Sequence, residues 1–442
     1  MHKPLKVSCK LLLLLASLPV ATSTCWPQAG NAAQASGPDA ELKEFHLDEL
    51  ETLLQTMPPG TEHDYFAGML ASRTNRIEES IEMLNKVLPA IREARPDRAK
   101  EALDTLANDY MEAFRYGDME RTIDDLVAHF AVQYKPAELQ QIKDNAAIAR
   151  ILREAPPQTI EWHGAVALKT ERNPINSLNA ELTVNGVEGQ WLLDTGAGLS
   201  VVTKSFAERL GLKALPGASR TQGGTGIENP LQIALLPTLE LGGATLHNVV
   251  VMILDDSSLN ISFGKDRYQI NGIVGYPVFR ALGRITFTHD GEFRAGEKDQ
   301  LLGHGAKMFM KGLTPIVQCE VQGAMLPFSF DTGASGTDLL LRYAQKFRAE
   351  AKTWKKAKSK SAGAGGVATR KVYIQPEVKL GIGDKVVSLK KVTIYRSSTG
   401  TDTEELYGNL GQDVVADFQS FTLDFSAMTF QLGETRSTGK GQ

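Results

Sequence analysis

The sequence predicts a multidomain α plus all-β protein, with an N-terminal helical-repeat domain followed by two duplicated β-rich lobes. Residues 41–154 carry apolar side chains at helical spacing, three and four positions apart. Ala155-Pro156-Pro157 ends this pattern, because proline removes a backbone donor and clashes with the preceding turn. From Ile160 onward, short apolar runs are separated by Gly, Asn and Asp, which is typical of strands. The β-rich part also repeats its own motifs.

Composition limits the class of protein before any motif is considered. The chain has 442 residues and is 42% hydrophobic, which is enough for two or three domains with separate cores. Its 48 Lys and Arg against 52 Asp and Glu give a net charge of -4. A strong basic field is therefore missing, and nucleic acid is excluded as the expected partner.

The first 23 residues predict a signal peptide. A basic start is followed by an apolar run over residues 11–20 and then by small residues. Cleavage fits after Ser23 or as late as Ala35, and an uncleaved signal anchor is the alternative. No later segment approaches about 18 uninterrupted apolar residues. We therefore expect a periplasmic or secreted protein without a transmembrane segment after signal removal.

Within the helical region, residues 65–88 and 106–130 look like two copies of one helical hairpin. The turn at Asn75 and Arg76 then corresponds to Gly117 and Asp118, an offset of 42 residues. This arrangement resembles tetratricopeptide (TPR)-like repeats, although their unit is shorter. A plain helical bundle is the alternative. The repeat interpretation implies a docking surface for a protein partner.

The β-rich region contains four landmarks twice, in the same order. Asp194-Thr195-Gly196-Ala197 recurs 137 residues later as Asp331-Thr332-Gly333-Ala334. The other pairs are Asn185-Gly186 with Gln322-Gly323, Leu241-Gly242 with Leu380-Gly381, and Ile273-Val274-Gly275 with Asn409-Leu410-Gly411. Offsets of 136 to 139 residues indicate duplication, and predict one lobe over 159–300 and a second over 301–435.

These paired motifs resemble the aspartic proteases of the pepsin/retropepsin-like superfamily, in their bacterial exported form, over residues 159–435. The resemblance implies two acid protease lobes, each of which contributes one Asp-Thr-Gly loop. It assigns Asp194 and Asp331 as catalytic residues, and it implies that Thr195 and Thr332 bond across to the opposite loop. Gly196 and Gly333 would let the loops approach closely. In this family a hydrophobic-hydrophobic-Gly segment packs beside each loop, and Asn409 departs from that pattern.

Elementary chemistry agrees with the resemblance. Peptide hydrolysis without a metal or covalent nucleophile needs one group to take a proton from water and another to protonate the carbonyl oxygen. Two carboxyls about 3 Å apart can do both, since like charges at that distance cannot both ionise cheaply and so hold one proton. The sequence therefore predicts an aspartic endopeptidase that acts on a peptide or protein and needs no cofactor. One chain carries both acids, so a monomer suffices; pairing of lobes from two chains is the alternative.

Ala197 and Ala334 stand where pepsin-like enzymes usually carry Ser or Thr. Alanine has no side-chain donor, so the anion is less stabilised and the pair is less acidic. We expect activity that extends toward weakly acid or neutral pH.

Two glycine-rich runs occupy the places where family lobes carry hairpins. The flap or substrate-binding candidates are Gly223, Gly224 and Gly226 in the first lobe, and Gly363, Gly365 and Gly366 in the second. A phosphate-binding loop is disfavoured, because neither run is followed by Lys-Ser or Lys-Thr at the start of a helix.

Other hydrolase classes lack visible residues. The eight histidines form no His-Glu-x-x-His motif, the three cysteines form no Cys-x-x-Cys pair, and no Gly-x-Ser-x-Gly elbow occurs. We therefore expect no metal site. The alternative from another class is a non-catalytic peptide-binding or scaffold protein with a degenerate protease fold and TPR-like repeats.

Overall fold

The computed structural model describes residues 37–222, 228–263, 266–296, 305–363, 366–398 and 405–436. The predicted signal peptide lies outside the described residues. Among those described, the chain divides between Glu154 and Ala155 into a helical unit and a strand-rich unit. An N-terminal helical region followed by a large β-rich region was expected, and this coarse order is confirmed.

The helical unit consists of consecutive helices that bury one apolar stripe each. In α4, for example, Ile77, Ile81 and Leu84 are buried at the spacing that places them on one face. The helices are α1 (Pro38–Glu44), α2 (Leu47–Thr56), α3 (Thr61–Arg73), α4 (Ile77–Ala94), α5 (Pro96–Glu112), α6 (Tyr116–Phe130) and α7 (Pro136–Leu152). Within the described residues, none of the helices combines the length and the apolar character that a membrane crossing requires.

The helical turns differ from the expected offset. Asn75 and Phe114 have φ angles of 61° and 58°, so they are the equivalent left-handed residues that end α3 and α5. Each turn closes with the same bond, since Arg76 N donates to Ala71 O and Arg115 N to Tyr110 O, both at 2.8 Å. The turns therefore recur after 39 residues, and the offset of 42 is wrong. Gly117 and Asp118 lie inside α6.

The strand-rich unit begins with elements that carry the first Asp-Thr-Gly motif. These are β1 (Thr159–Trp162), β2 (Val166–Arg172), β3 (Leu178–Val184), β4 (Val187–Leu193), β5 (Ser200–Thr203), α8 (Lys204–Arg209), β6 (Ser219–Gln222), β7 (Glu228–Glu240), β8 (Ala244–Leu254), β9 (Asn260–Phe263), β10 (Asp266–Gln269), β11 (Gly272–Val274), α9 (Tyr276–Leu282), β12 (Arg284–Thr288) and β13 (Glu292–Ala295).

The elements after residue 305 carry the second motif. These are β14 (Ala306–Lys311), β15 (Thr314–Val321), β16 (Ala324–Phe330), β17 (Asp338–Leu339), α10 (Leu341–Lys346), α11 (Arg348–Ala351), β18 (Lys355–Gly363), β19 (Gly366–Ile382), β20 (Lys385–Tyr395), β21 (Gly408–Leu410), β22 (Ser420–Asp424) and β23 (Thr429–Leu432).

The same strand pairings occur around each motif. β3 and β4 form an antiparallel hairpin whose turn residues Asn185 and Gly186 have φ angles of 51° and 76°, as a two-residue hairpin turn requires. β4 runs parallel to β11, and β11 is antiparallel to β5. In the second half, β15 and β16 form the hairpin with its turn at Gln322 and Gly323, β16 is parallel to β21, and β21 is antiparallel to β17.

A third sheet joins the two halves. Its described strands follow the order β2, β13, β12, β22, β23, β14, all antiparallel. β12 and β22 meet at its centre, where the Thr286 and Thr422 hydroxyls lie 2.8 Å apart. Phe287 and Phe421 stack there with ring centroids 4.8 Å apart. This packing holds the two halves against each other and so brings the two motifs to one place.

Candidate active site

Each Asp-Thr-Gly acid follows the last residue of a buried strand. Asp194 comes directly after β4 and its backbone N–H donates to Val274 O at 3.1 Å; Asp331 comes after β16 and its N–H donates to Leu410 O at 3.0 Å. In both halves the parallel neighbour strand therefore continues its pairing onto the acid. The sheet therefore fixes the backbone position of each aspartate.

The structure brings the two acids of one chain together. A Cβ atom placed on Gly196 would lie 2.6 Å from Cγ of Asp331, and one placed on Gly333 would lie 2.5 Å from Cγ of Asp194. Real Cβ contacts are never this short, so each loop needs glycine to approach the opposite carboxyl.

Thr195 and Thr332 connect the two loops reciprocally. The Thr332 hydroxyl accepts from Thr195 N at 3.0 Å and donates to Leu193 O at 2.7 Å. The Thr195 hydroxyl accepts from Thr332 N at 3.1 Å and donates to Phe330 O at 3.2 Å. Both threonines are fully buried, so all four bonds form away from water. The loops therefore hold each other at the position where the acids meet.

The two carboxyls have different hydrogen-bond partners. Oδ1 of Asp194 accepts from Gly196 N at 2.9 Å, and the Ala197 N–H also bonds to this carboxyl. Oδ1 of Asp331 accepts from Gly333 N at 2.8 Å and Ala334 N at 3.0 Å, and its Oδ2 accepts from Asn409 Nδ2 at 3.2 Å. Among the described residues, Oδ2 of Asp194 accepts no hydrogen bond.

Burial dominates the electrostatics of the pair. Neither Asp194 nor Asp331 exposes any surface to solvent. Burial, and secondly the neighbouring charge of Asp331, raise the pKa of Asp194 well above its usual range, although the backbone N–H groups lower it. Such a pair holds one proton and titrates as a unit.

The segments that carry the distal glycines close the site from the other side. Tyr276 N donates to Ala197 O and Gln412 N donates to Ala334 O, both at 2.8 Å. A Cβ on Gly411 would lie 2.6 Å from the carbonyl carbon of Gly336, so only glycine fits there. These contacts fix the residues that follow each Asp-Thr-Gly motif.

The first half of this site matches a known protein family. Residues 180–278 match the aspartyl protease family model. This segment contains Asp194 and Gly275, and it supports an aspartic protease family. The second motif at Asp331 lies beyond it.

The solved structures that this chain resembles include two seed proteins of low sequence identity. One is conglutin gamma, described as a unique basic 7S globulin from lupine seeds, with a TM-score of 0.38 and 10% identity over 62% of this chain and 95% of that chain. The other is Basic 7S globulin from soybean, with a TM-score of 0.37 and 10% identity over 63% of this chain and 96% of that one. No curated protein sequence matches this chain significantly.

Two of the flap candidates lie on a hairpin of the second half. Gly363 and Gly366 face each other where β18 meets β19, and the β18–β19 hairpin also contacts β9 of the first half. In the first half, β6 and β7 pair from Ser219 to Gln222. Gly223, Gly224, Gly226 and Gly365 lie outside the described residues.

Several polar residues at the site were not singled out from the sequence. Gln412 Nε2 donates to Thr332 O at 2.6 Å, and the Ser177 hydroxyl donates to Gly333 O at 3.2 Å. Asn409 had been noted only as a departure from the hydrophobic pattern, yet it donates to Asp331. A polar residue in an otherwise apolar repeat is the signal that could have identified Asn409 and Gln412.

In the part of the chain that the structure describes, no cluster of three or more His, Cys, Asp and Glu side chains could hold a metal ion.

Proposed function

We propose that this protein is an aspartic endopeptidase that hydrolyses peptide bonds with a water activated by the Asp194 and Asp331 pair. The observation that carries the proposal is the pairing of these two buried carboxyls, held by reciprocal threonine bonds within one chain. The aspartyl protease match over residues 180–278 supports the same class.

The reaction needs only the proton that the pair shares. The ionised carboxyl takes a proton from the water as its oxygen attacks the peptide carbonyl, while the protonated carboxyl gives its proton to the carbonyl oxygen. The tetrahedral intermediate then collapses: the carboxyl that took the proton from water gives it to the nitrogen as the C–N bond breaks, and the other carboxyl takes a proton from a hydroxyl of the intermediate. Each carboxyl thereby returns to its starting protonation state, so no other proton donor is needed.

We further propose that the two halves are duplicated pepsin/retropepsin-like lobes, over 159–300 and 301–435. The support is the recurrence of the same hairpin, parallel strand and antiparallel strand around each acid. Thr286 and Thr422, which are 136 residues apart, pair at the centre of the joining sheet, as equivalent residues of two copies would.

For the helical unit we propose TPR-like repeats that dock a protein partner. The support is the identical turn that joins α3 to α4 and α5 to α6. The signal-like N-terminus supports a bacterial protein that acts in the periplasm or after secretion.

Access to the pair requires movement, since neither acid exposes any surface. A peptide can reach the carboxyls only when the chain that covers them opens. We propose the β6–β7 and β18–β19 hairpins as the flaps that open, with Gly363 and Gly366 among the substrate-binding residues.

The test compares the parent with Asp194→Asn and Asp331→Asn on a mixed peptide library. Asp417→Asn is the matched control, because Asp417 is an exposed residue of the same unit. Loss of either member of an acid–base pair should lower kcat/KM by at least about 100-fold, while circular dichroism and the unfolding midpoint show an intact fold. Cleavage that survives both substitutions would refute the proposal. Peptide binding without cleavage by the parent would favour the non-catalytic alternative.

A further inference from the structure

The two halves differ at one position of the site that faces a carboxyl. In β11 of the first half Ile273 lies opposite Leu192, so both residues of the parallel pair are apolar. In β21 of the second half Asn409 lies opposite Ser329. The duplicated framework therefore carries a buried polar pair in one copy only. Burial of polar groups is costly unless they are hydrogen-bonded.

This polar pair has a defined orientation. The Ser329 hydroxyl donates to Asn409 Oδ1 at 2.6 Å, which leaves the Asn409 amide N–H₂ directed at Oδ2 of Asp331 at 3.2 Å. The reverse orientation of the amide would set a carbonyl oxygen against the carboxylate oxygen and remove that bond. Ser329 therefore orients Asn409, and Asn409 contacts Asp331.

The result is an unequal pair of acids. Backbone N–H groups reach both acids equivalently, from Gly196 and Ala197 for Asp194 and from Gly333 and Ala334 for Asp331. Asp331 alone also accepts from the Asn409 side chain, whereas Oδ2 of Asp194 has no donor among the described residues. Hydrogen bonds from N–H groups stabilise the charged form of a carboxyl. The negative charge is thus favoured on Asp331.

We propose that Asn409 is a positioning residue that keeps Asp331 as the ionised member of the pair, and so leaves the shared proton on Asp194. Asp331 then takes the proton from water and Asp194 protonates the peptide carbonyl. Asn409 supplies from the distal segment the side-chain donor that Ala334 lacks. This inference rests on the proposed function for its catalytic meaning, but the position of the proton can be measured without catalysis.

The first experiment follows the pH dependence of kcat/KM for the parent and Asn409→Leu. Asn409→Leu removes one hydrogen bond to a charged group, so the pH below which kcat/KM falls on the acid side should rise by about one unit or more. Ser329→Ala, which keeps Asn409 but removes the hydroxyl that orients it, should raise this pH by a smaller amount. Ile273→Val alters packing at the equivalent position of the first half and should leave this pH unchanged.

The second experiment reads the proton directly. Carboxyl ¹³C resonances of full-length protein labelled at aspartate are titrated by NMR, and the two signals are assigned from Asp194→Asn and Asp331→Asn. In the parent, Asp331 should ionise at lower pH than Asp194, and Asn409→Leu should narrow the gap. If Asn409→Leu does not fold, the same comparison is made with Ser329→Ala.

The outcomes separate the two proposals. A parent that cleaves no peptide but ionises Asp331 first refutes the endopeptidase and supports the role of Asn409. Earlier ionisation of Asp194 in the parent overturns the role of Asn409, as does an unchanged Asp331 titration in the folded variants, whether or not peptides are cleaved.

Discussion

The reciprocal threonine bonds should carry a large part of the local stability of the site, and Thr332→Val tests this. Valine keeps the shape of threonine but removes the hydroxyl, which leaves Thr195 N–H and Leu193 O buried without that partner. Each orphaned buried group costs about 1–3 kcal/mol. The free energy of unfolding should therefore fall by about 2–6 kcal/mol.

Tryptophan fluorescence during urea unfolding reports on this change through Trp162, Trp191 and Trp354, which lie in the strand-rich unit. Thr332→Ser retains the hydroxyl and should lose far less stability. Thr369→Val, on the exposed side of β19, should change it by less than about 0.5 kcal/mol.

Symmetry supplies a second check. Thr195→Val orphans Thr332 N–H and Phe330 O, so it should cost about as much as the substitution in the other loop. If the loops separate once one side is lost, the double variant should cost less than the sum of the singles. A loss below about 0.5 kcal/mol for both single variants would refute the idea that these bonds hold the loops together.

Further changes give distinct outcomes. Gly196→Ala places a methyl group 2.6 Å from Cγ of Asp331, so activity should fall at least about 100-fold and the unfolding free energy by about 1–3 kcal/mol. Gly164→Ala, at an exposed glycine with open space around it, should change neither quantity. Because the folded-state pKa of Asp194 is raised, its contribution to stability is present below the unfolded pKa of 3.8 and is lost as pH rises toward the folded-state pKa. The unfolding free energy of Asp194→Asn in urea should therefore rise relative to that of the parent as pH increases, by up to about 1.4 kcal/mol per pH unit. A difference between the two proteins that does not change with pH would contradict this. Burial raises the pKa of Asp104 to about 6, so at pH 8 this buried carboxylate is charged and is stabilised by Lys100 at 3.0 Å. Lys100→Met should therefore lower the unfolding free energy by about 3–5 kcal/mol at pH 8 and by less at pH 5. A loss that is the same at both pH values would contradict the pairing.

The sequence predicted the parts of the site that depend on local chemistry. An apolar strand that ends in Asp-Thr-Gly can be read directly, and its recurrence after 137 residues implies two equivalent loops. The hairpin turns were also readable, since Asn185-Gly186 is a preferred pair for a turn with positive φ angles. The helical region followed by a β-rich region was predicted from the change in the spacing of apolar residues at Pro156 and Pro157.

Other features depend on contacts that no local pattern contains. The donor role of Asn409 requires Ser329, which lies 80 residues earlier, to set the amide orientation. The error in the helical repeat has a simpler cause: Gly117 looked like the left-handed turn residue, but Phe114 adopts that conformation despite its side chain. Tertiary packing and the closing bonds of the turn decided that position.

Because one chain carries both Asp-Thr-Gly loops, the two halves of the site can differ. A symmetric dimer must present the same residues twice, so any donor next to one acid would also lie next to the other. In this chain Leu192 and Ile273 correspond to Ser329 and Asn409, and the added donor acts on Asp331 alone. An acid–base pair works best when one member is charged and the other protonated before the substrate arrives. A single chain can achieve this by changing one strand pair of one half, and this is the difference that the structure contains.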